Sequence, residues 1–143
     1  MALVALAAAS AAGAAANTPV ALDSAVFVER LRGDNLRSLE PATRLSRGDR
    51  VVTIVSWQRM GGNGAASGFT LVNPLPPSLA YQASARGDEE VSVDGGRGWG
   101  RIGTLRIGTR LATPEDVTHV RWRVPASRAA AGSGRIAYSG IVR

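Results

Sequence analysis

Cysteine and lysine are both absent from the chain. Without Cys there is no disulfide, no thiolate metal site, no catalytic thiol and no lipid-modified cysteine. Without Lys there is no Schiff-base nitrogen, no P-loop lysine and no Lys–Asn isopeptide crosslink. Histidine occurs once, at His119, and aromatic residues make up only 5% of the chain. A single His with no second His, no Cys and no nearby acidic pair completes neither a metal set nor a Ser–His–Asp triad. These absences point away from an enzyme and away from any cofactor or metal.

What is present is arginine. All 17 basic side chains are Arg, set against 11 acidic ones, for a formal charge of +6. Such a surface favours anionic partners: polysaccharide, lipid head groups or nucleic acid. No stretch gathers the Arg into a run, so a specific nucleic-acid partner is not expected. The acidic pairs carry little chemistry. Glu89 and Glu90 are adjacent, and neighbours on a strand point to opposite faces. Asp88, Glu89 and Asp94 are close in sequence, but their spacing matches no standard calcium loop.

The first 16 residues carry no charge and end in "GAAA". An apolar run closed by small residues fits a secretory signal helix, with Ala14-Ala15-Ala16 as the cleavage pattern and Asn17 opening the mature chain. No Arg precedes the run, which departs from that pattern. The organisation expected is therefore a signal over 1–16, a linker over 17–24 and one domain over 25–143. The mature chain would have no transmembrane anchor and would be exported, to the periplasm, the outer surface or the medium. Apolar residues are 45% of the chain, enough for one core in a domain of this size.

Beyond residue 24 the pattern has a period of two. "SAVFVERLR" places Val26 and Val28 opposite Phe27 and Glu29. "DRVVTIVSWQR" places Val51, Thr53, Val55 and Trp57 opposite Val52 and Ile54. "GFTLVNPL" and "SLAYQASA" read as the next pair, separated by prolines that cannot join a ladder. "EEVSVDGGRGWGRI" reads as a hairpin about Asp94-Gly95-Gly96, a turn needing positive φ. "THVRWRV" turns Val120, Trp122 and Val124 inward and Arg121 and Arg123 outward. "GRIAYSGIVR" closes the domain with Ile136, Tyr138, Gly140 and Val142 on one face. "ATPEDV" carries the one helical signal, a capped single turn at Thr113. Seven or eight short strands predict an all-β, immunoglobulin-like two-sheet sandwich. The glycine-rich stretch Gly61–Gly68 is expected as a loop at its edge.

The tripeptide Arg-Gly-Asp occurs three times, at Arg32-Gly33-Asp34, Arg47-Gly48-Asp49 and Arg86-Gly87-Asp88. Each copy falls between strand-like runs. Gly takes conformations that other residues resist, and Asp bonds to nearby backbone. The expectation is three turns and no adhesion motif.

From Pro41 to Arg143 the chain resembles the prokaryotic conserved-repeat family of surface proteins, a domain of unknown function. The carrying elements are Leu45 with Gly48-Asp49, "VVTIVSW", "TLVNPLPPSLAY", "VDGGRGW", "VRW" and "AAAGSGRIAY", in the family's order. The glycine-rich insertion after "VSW" replaces that family's usual short turn, and only one copy is present. The resemblance implies an immunoglobulin-like sandwich on an exported protein, often part of an envelope assembly, with no catalytic residues.

Two roles follow. One is a non-catalytic module for envelope structure or docking of envelope proteins. The other is a binding module for an anionic glycan or surface polymer, using Arg97, Trp99, Arg101, Arg121 and Arg123. Trp99 sits among glycines between Arg97 and Arg101, where it either stacks on a ligand or folds back over the sheet. Trp122 and Tyr81 are assigned to the core. An enzyme would need carboxylates brought together from separate strands, or His119 bonded to Ser and Asp.

Overall fold

The computed structural model describes residues 19–61 and 66–143. The secretory helix assigned to 1–16 therefore lies outside the described residues, as does the centre of the glycine-rich stretch. In chain order the strands are β1 (Val20–Leu31), β2 (Arg37–Pro41), β3 (Arg50–Arg59), β4 (Phe69–Pro74), β5 (Leu79–Ser84), β6 (Glu90–Ser92), β7 (Arg106–Ile107), β8 (Arg110–Leu111), β9 (His119–Val124) and β10 (Ser133–Val142). A 3-10 turn over Pro114–Asp116 joins β8 to β9, and one helical turn, α1 (Ala126–Ala129), joins β9 to β10.

The period-two pattern becomes buried faces. Val51, Thr53, Val55 and Trp57 of β3 are all buried, as are Val120, Trp122 and Val124 of β9 and Ile136, Tyr138 and Val142 of β10. Burying both inner faces requires two layers. One sheet has the order β2-β1-β3-β10-β5 and the other β4-β9-β6, every pairing antiparallel. The molecule is an all-β, two-sheet sandwich of eight strands, with β7 and β8 forming a separate hairpin. Its closing strand β10 lies between β3 and β5. In the constant-type immunoglobulin order, by contrast, the last strand sits in the sheet opposite the first.

Large rings join the layers. Trp57 meets Phe69 edge to face at 5.1 Å, and Trp122 lies 5.6 Å from Tyr138. The polar atoms carried inside are paired across the same gap: Asn73 Nδ2 donates to Tyr138 Oη, and Trp122 Nε1 donates to Ser84 Oγ at 3.3 Å. Burial pushes the Tyr138 hydroxyl above its ordinary range. Removing a ring of this kind, as in Trp122→Ala, costs about 3–5 kcal/mol through lost contacts and the cavity left behind.

Three sequence expectations need correction. β1 begins at Val20, so residues 20–24 of the supposed linker belong to the sheet, where Leu22 pairs with Trp57 and Ser24 with Val55. Val20, Leu22 and Val26 share one side of the strand and pack on the core. "GFTLVNPL" and "SLAYQASA" are not partners: β4 pairs with β9 and β5 with β10 in the opposite sheet. The prolines between them carry the chain across the gap. The Asp94 hairpin has a single bridge, Val91 to Gly100, rather than a ladder.

The tripeptides are in turns, by three different devices. Gly48 and Gly87 hold φ of 91° and 70°, but in the first copy Asn35 takes the positive φ (62°) and Gly33 does not. Asp34 accepts from the Leu36 N–H at 3.1 Å, Asp49 from the Ser46 N–H at 2.8 Å, and Asp88 pairs with Arg86 at 2.6 Å.

Candidate functional site

The segment after β6 is wound around one carboxylate. Asp94 Oδ1 accepts from the N–H of Gly98 (2.8 Å), the hydroxyl of Ser92 (2.8 Å) and the N–H of Arg97 (3.1 Å). These donors hold the Asp94 carboxyl below its ordinary range, the Gly98 N–H most strongly. Gly95 and Gly96 supply the positive φ expected of them (80° and 91°). The Gly95 N–H donates to Thr118 Oγ1 at 3.1 Å, which ties the loop to the residue before β9. The loop is therefore shaped from within, and its shape decides where Trp99 goes.

Trp99 folds back onto the outer face of the three-stranded sheet and is half-buried. Its indole N–H donates to the Gly96 carbonyl at 2.9 Å. His119 stands edge-on to the ring at 6.4 Å, and the Arg121 guanidinium lies over it, 4.5 Å from the centroid. Cation–π contact of this kind contributes about 0.5–1 kcal/mol at an exposed site. One side of the ring is thus already occupied by an Arg of the same chain.

Arg121 is held by a second contact, because Glu90 is its cross-strand partner in the register of β6 and β9. Arg121 Nε donates to Glu90 Oε2 at 2.8 Å, and Arg123 Nη2 lies 3.6 Å from the same oxygen. Glu90 is held below the usual carboxylate range, first by the Arg121 hydrogen bond, with burial opposing and the charges of Arg121, Arg123 and Arg101 adding to the effect. Two guanidiniums therefore share one carboxylate, and the charge of Arg101 is felt there as well. Planar N–H forks of this type match carboxylate, sulfate and phosphate oxygens.

Of the five residues named from sequence, Arg121 is brought to both Trp99 and Glu90, Arg123 reaches the same Glu90 oxygen, and Arg101 acts there through its charge alone. Arg97 is turned onto its own loop, with Nε donating to the Asp94 carbonyl at 3.0 Å. Glu90 is the residue that sequence reasoning missed. Its importance comes from strand register, which period-two alternation does not specify. The neighbouring carboxylates diverge: Glu89 accepts from the Tyr81 hydroxyl, while Asp88 pairs with Arg86. His119 Nδ1 is 3.0 Å from Thr118 Oγ1.

No protein family, curated protein or solved structure matches this chain.

Proposed function

We propose that this protein is a non-catalytic binding module of the cell envelope, whose outer three-stranded face takes an anionic surface polymer. The observation that carries this reading is the convergence of Arg121 and Arg123 on the single carboxylate of Glu90, with Arg121 lying over Trp99. Arg121 is stacked on Trp99 and bonded to Glu90. The Trp99 stack completes part of its side-chain ordering before any ligand arrives, which raises affinity, whereas Glu90 competes with a ligand for the N–H donors. Export is supported by the uncharged stretch over residues 1–16 and by the resemblance of Pro41–Arg143 to the conserved-repeat surface family. Docking to envelope proteins instead would use the same rigid sandwich and leave the Arg face without a dedicated ligand.

Retention on an immobilised anionic polysaccharide tests the polymer reading. The wild-type chain should elute later than neutral β-sandwich controls, and earlier as salt rises, because counterions screen the exposed contacts. Arg123→Gln, at a side chain 73% exposed, should weaken retention several-fold without changing stability. Elution indifferent to salt, or to Arg123, would remove the proposal. For export, mass spectrometry of the secreted protein should find a mature chain beginning at Asn17.

A further inference from the structure

The exposed large aliphatic side chains are not scattered. Among the described residues there are seven, and six of them lie on two hairpins: Leu31, Leu36 and Leu39 on β1–β2, and Ile102, Ile107 and Leu111 in and beside β7–β8. Leu31 and Leu36 are 68% and 64% exposed and Leu111 is 51% exposed, so these are protruding side chains rather than the rim of the core. The first hairpin projects past its sheet, since pairing of β1 with β3 stops at Val28 and Val51 while pairing with β2 continues to Leu31. The second belongs to neither sheet. Its sequence repeats, Arg101-Ile102-Gly103-Thr104 followed by Arg106-Ile107-Gly108-Thr109, and Gly108 (φ 60°) begins the two-residue turn between β7 and β8.

Both hairpins root at the same end of the sandwich, and a chain of polar contacts runs between them. Arg30 pairs with Asp49 at 2.8 Å, and the Gly48 N–H donates to the Val142 carbonyl at 2.8 Å. The Arg143 N–H donates to Ser78 O, and its guanidinium to Glu115 O at 2.6 Å. Asp116 then holds Arg110 of β8 at 2.7 Å. This end also concentrates cations. Arg32, Arg47, Arg106 and Arg143 have no carboxylate partner among the described residues. Three carboxylates there are not held by Arg, Glu115, Asp34 and Glu40 of β2, and Asp34 is turned onto the Leu36 N–H.

We infer that this end of the sandwich docks on an anionic lipid bilayer, with Leu31, Leu36, Ile107 and Leu111 entering the headgroup region and Arg32, Arg47 and Arg106 meeting lipid phosphates. A rigid protein partner would have to match both hairpins in shape at once. Here the aliphatic residues are divided between two projecting arms, and a fluid headgroup layer admits separated apolar side chains at once. Aliphatic side chains interleaved with Arg are the composition that binds an interface and favours anionic lipid. The residues named here are different from those of the Trp99 face, and the inference does not depend on the polymer reading.

The test is co-sedimentation of the full chain with vesicles of phosphatidylcholine alone and of phosphatidylcholine with phosphatidylglycerol. Binding is expected to the second and not the first. Arg32→Gln with Arg106→Gln should lower partitioning about 25-fold, on the order of fivefold for each Arg at an anionic surface. Leu36→Ser with Ile107→Ser should weaken binding at least tenfold and leave thermal stability unchanged; Leu36→Ser alone serves if the double variant unfolds. Arg123→Gln should leave vesicle binding intact, which separates this surface from the polymer face. The inference is overturned by equal binding to both vesicles, by no binding, or by binding untouched in the hairpin variants, as attachment through residues 1–18 would give. It is also overturned if the wild type is a dimer that the aliphatic variants convert to monomer without any vesicle binding, because a second copy would then be the occupant.

Discussion

Single residues show why three copies of one tripeptide are not three copies of one structure. At Gly48 a Cβ would meet nothing within 4 Å, yet φ is 91°. Gly48→Ala is therefore a test of backbone conformation alone, and should cost about 1–2 kcal/mol by urea unfolding. Gly33 has the same open surroundings without the positive φ, so Gly33→Ala should stay within about 0.5 kcal/mol. Equal losses at both positions would contradict this account of the turns. A different constraint acts at Gly134, where a Cβ would come 2.6 Å from the Trp57 indole. Gly134→Ala should cost about 1–3 kcal/mol, since the ring is packed against Phe69 and cannot retreat freely. Trp57 fluorescence in the folded state is expected to shift with it.

At the scale of elements, legibility followed the length of the pattern. β3, β9 and β10 were readable because three or four alternating apolar positions in a row leave few other assignments. β2 was not readable: "RSLEP" has no apolar alternation, and it is a strand because the turn at Asn35 folds it beside β1. β7 and β8 are two residues each, shorter than any periodicity, although the repeated Arg-Ile-Gly-Thr was an available sign of paired turns. α1 is a four-residue turn behind Pro125, short enough to read as loop. The candidate site was half legible. Outward-facing Arg121 and Arg123 followed from the alternation of β9, whereas their convergence on Glu90 required the register with β6. The Asp94 loop yields a prediction at this scale. Asp94→Ala removes the acceptor for two backbone N–H groups, so Trp99 should leave its place against Arg121. A red-shifted Trp emission with little change in far-UV circular dichroism is expected; an unchanged spectrum would show that the loop does not depend on this carboxylate.

For the whole molecule, the distribution of shifted groups sets a pH window. Glu29 is lowered chiefly by Arg50, Asp49 by the Ser46 N–H, Glu90 by Arg121, Asp94 by the Gly98 N–H and Asp116 by Arg110. A carboxyl depressed in the folded state contributes its stability above the unfolded value and loses it as pH falls through the folded one. With ordinary values of 4.5 for Glu and 3.8 for Asp, the melting temperature should be level above about pH 5–6 and fall steadily below about pH 4. Burial raises Tyr81 and Tyr138 above their ordinary 10.0, Tyr81 with help from Glu89. The unfolded chain then ionises first, so stability should decline again above about pH 10. A melting temperature that rises on acidification would refute the assignment of these pairs. Closure of the sandwich rests on β10, which has neighbours on both edges. Deleting Ile136–Arg143 should abolish cooperative unfolding, because β3 and β5 would each lose a partner and the core would lose Ile136, Tyr138 and Val142.

The central functional claim is that Arg121 and Arg123 form a cationic face restrained by one carboxylate, and its most direct test is a pair of substitutions with opposite signs. Binding of an anionic polysaccharide would be titrated at low salt for the wild type, Glu90→Gln and Arg123→Gln. Glu90→Gln frees two guanidiniums and should strengthen binding several-fold, while Arg123→Gln weakens it by a comparable factor. Glu90→Gln that leaves affinity unchanged or lowers it, in a protein with an unaltered fold, would contradict the account.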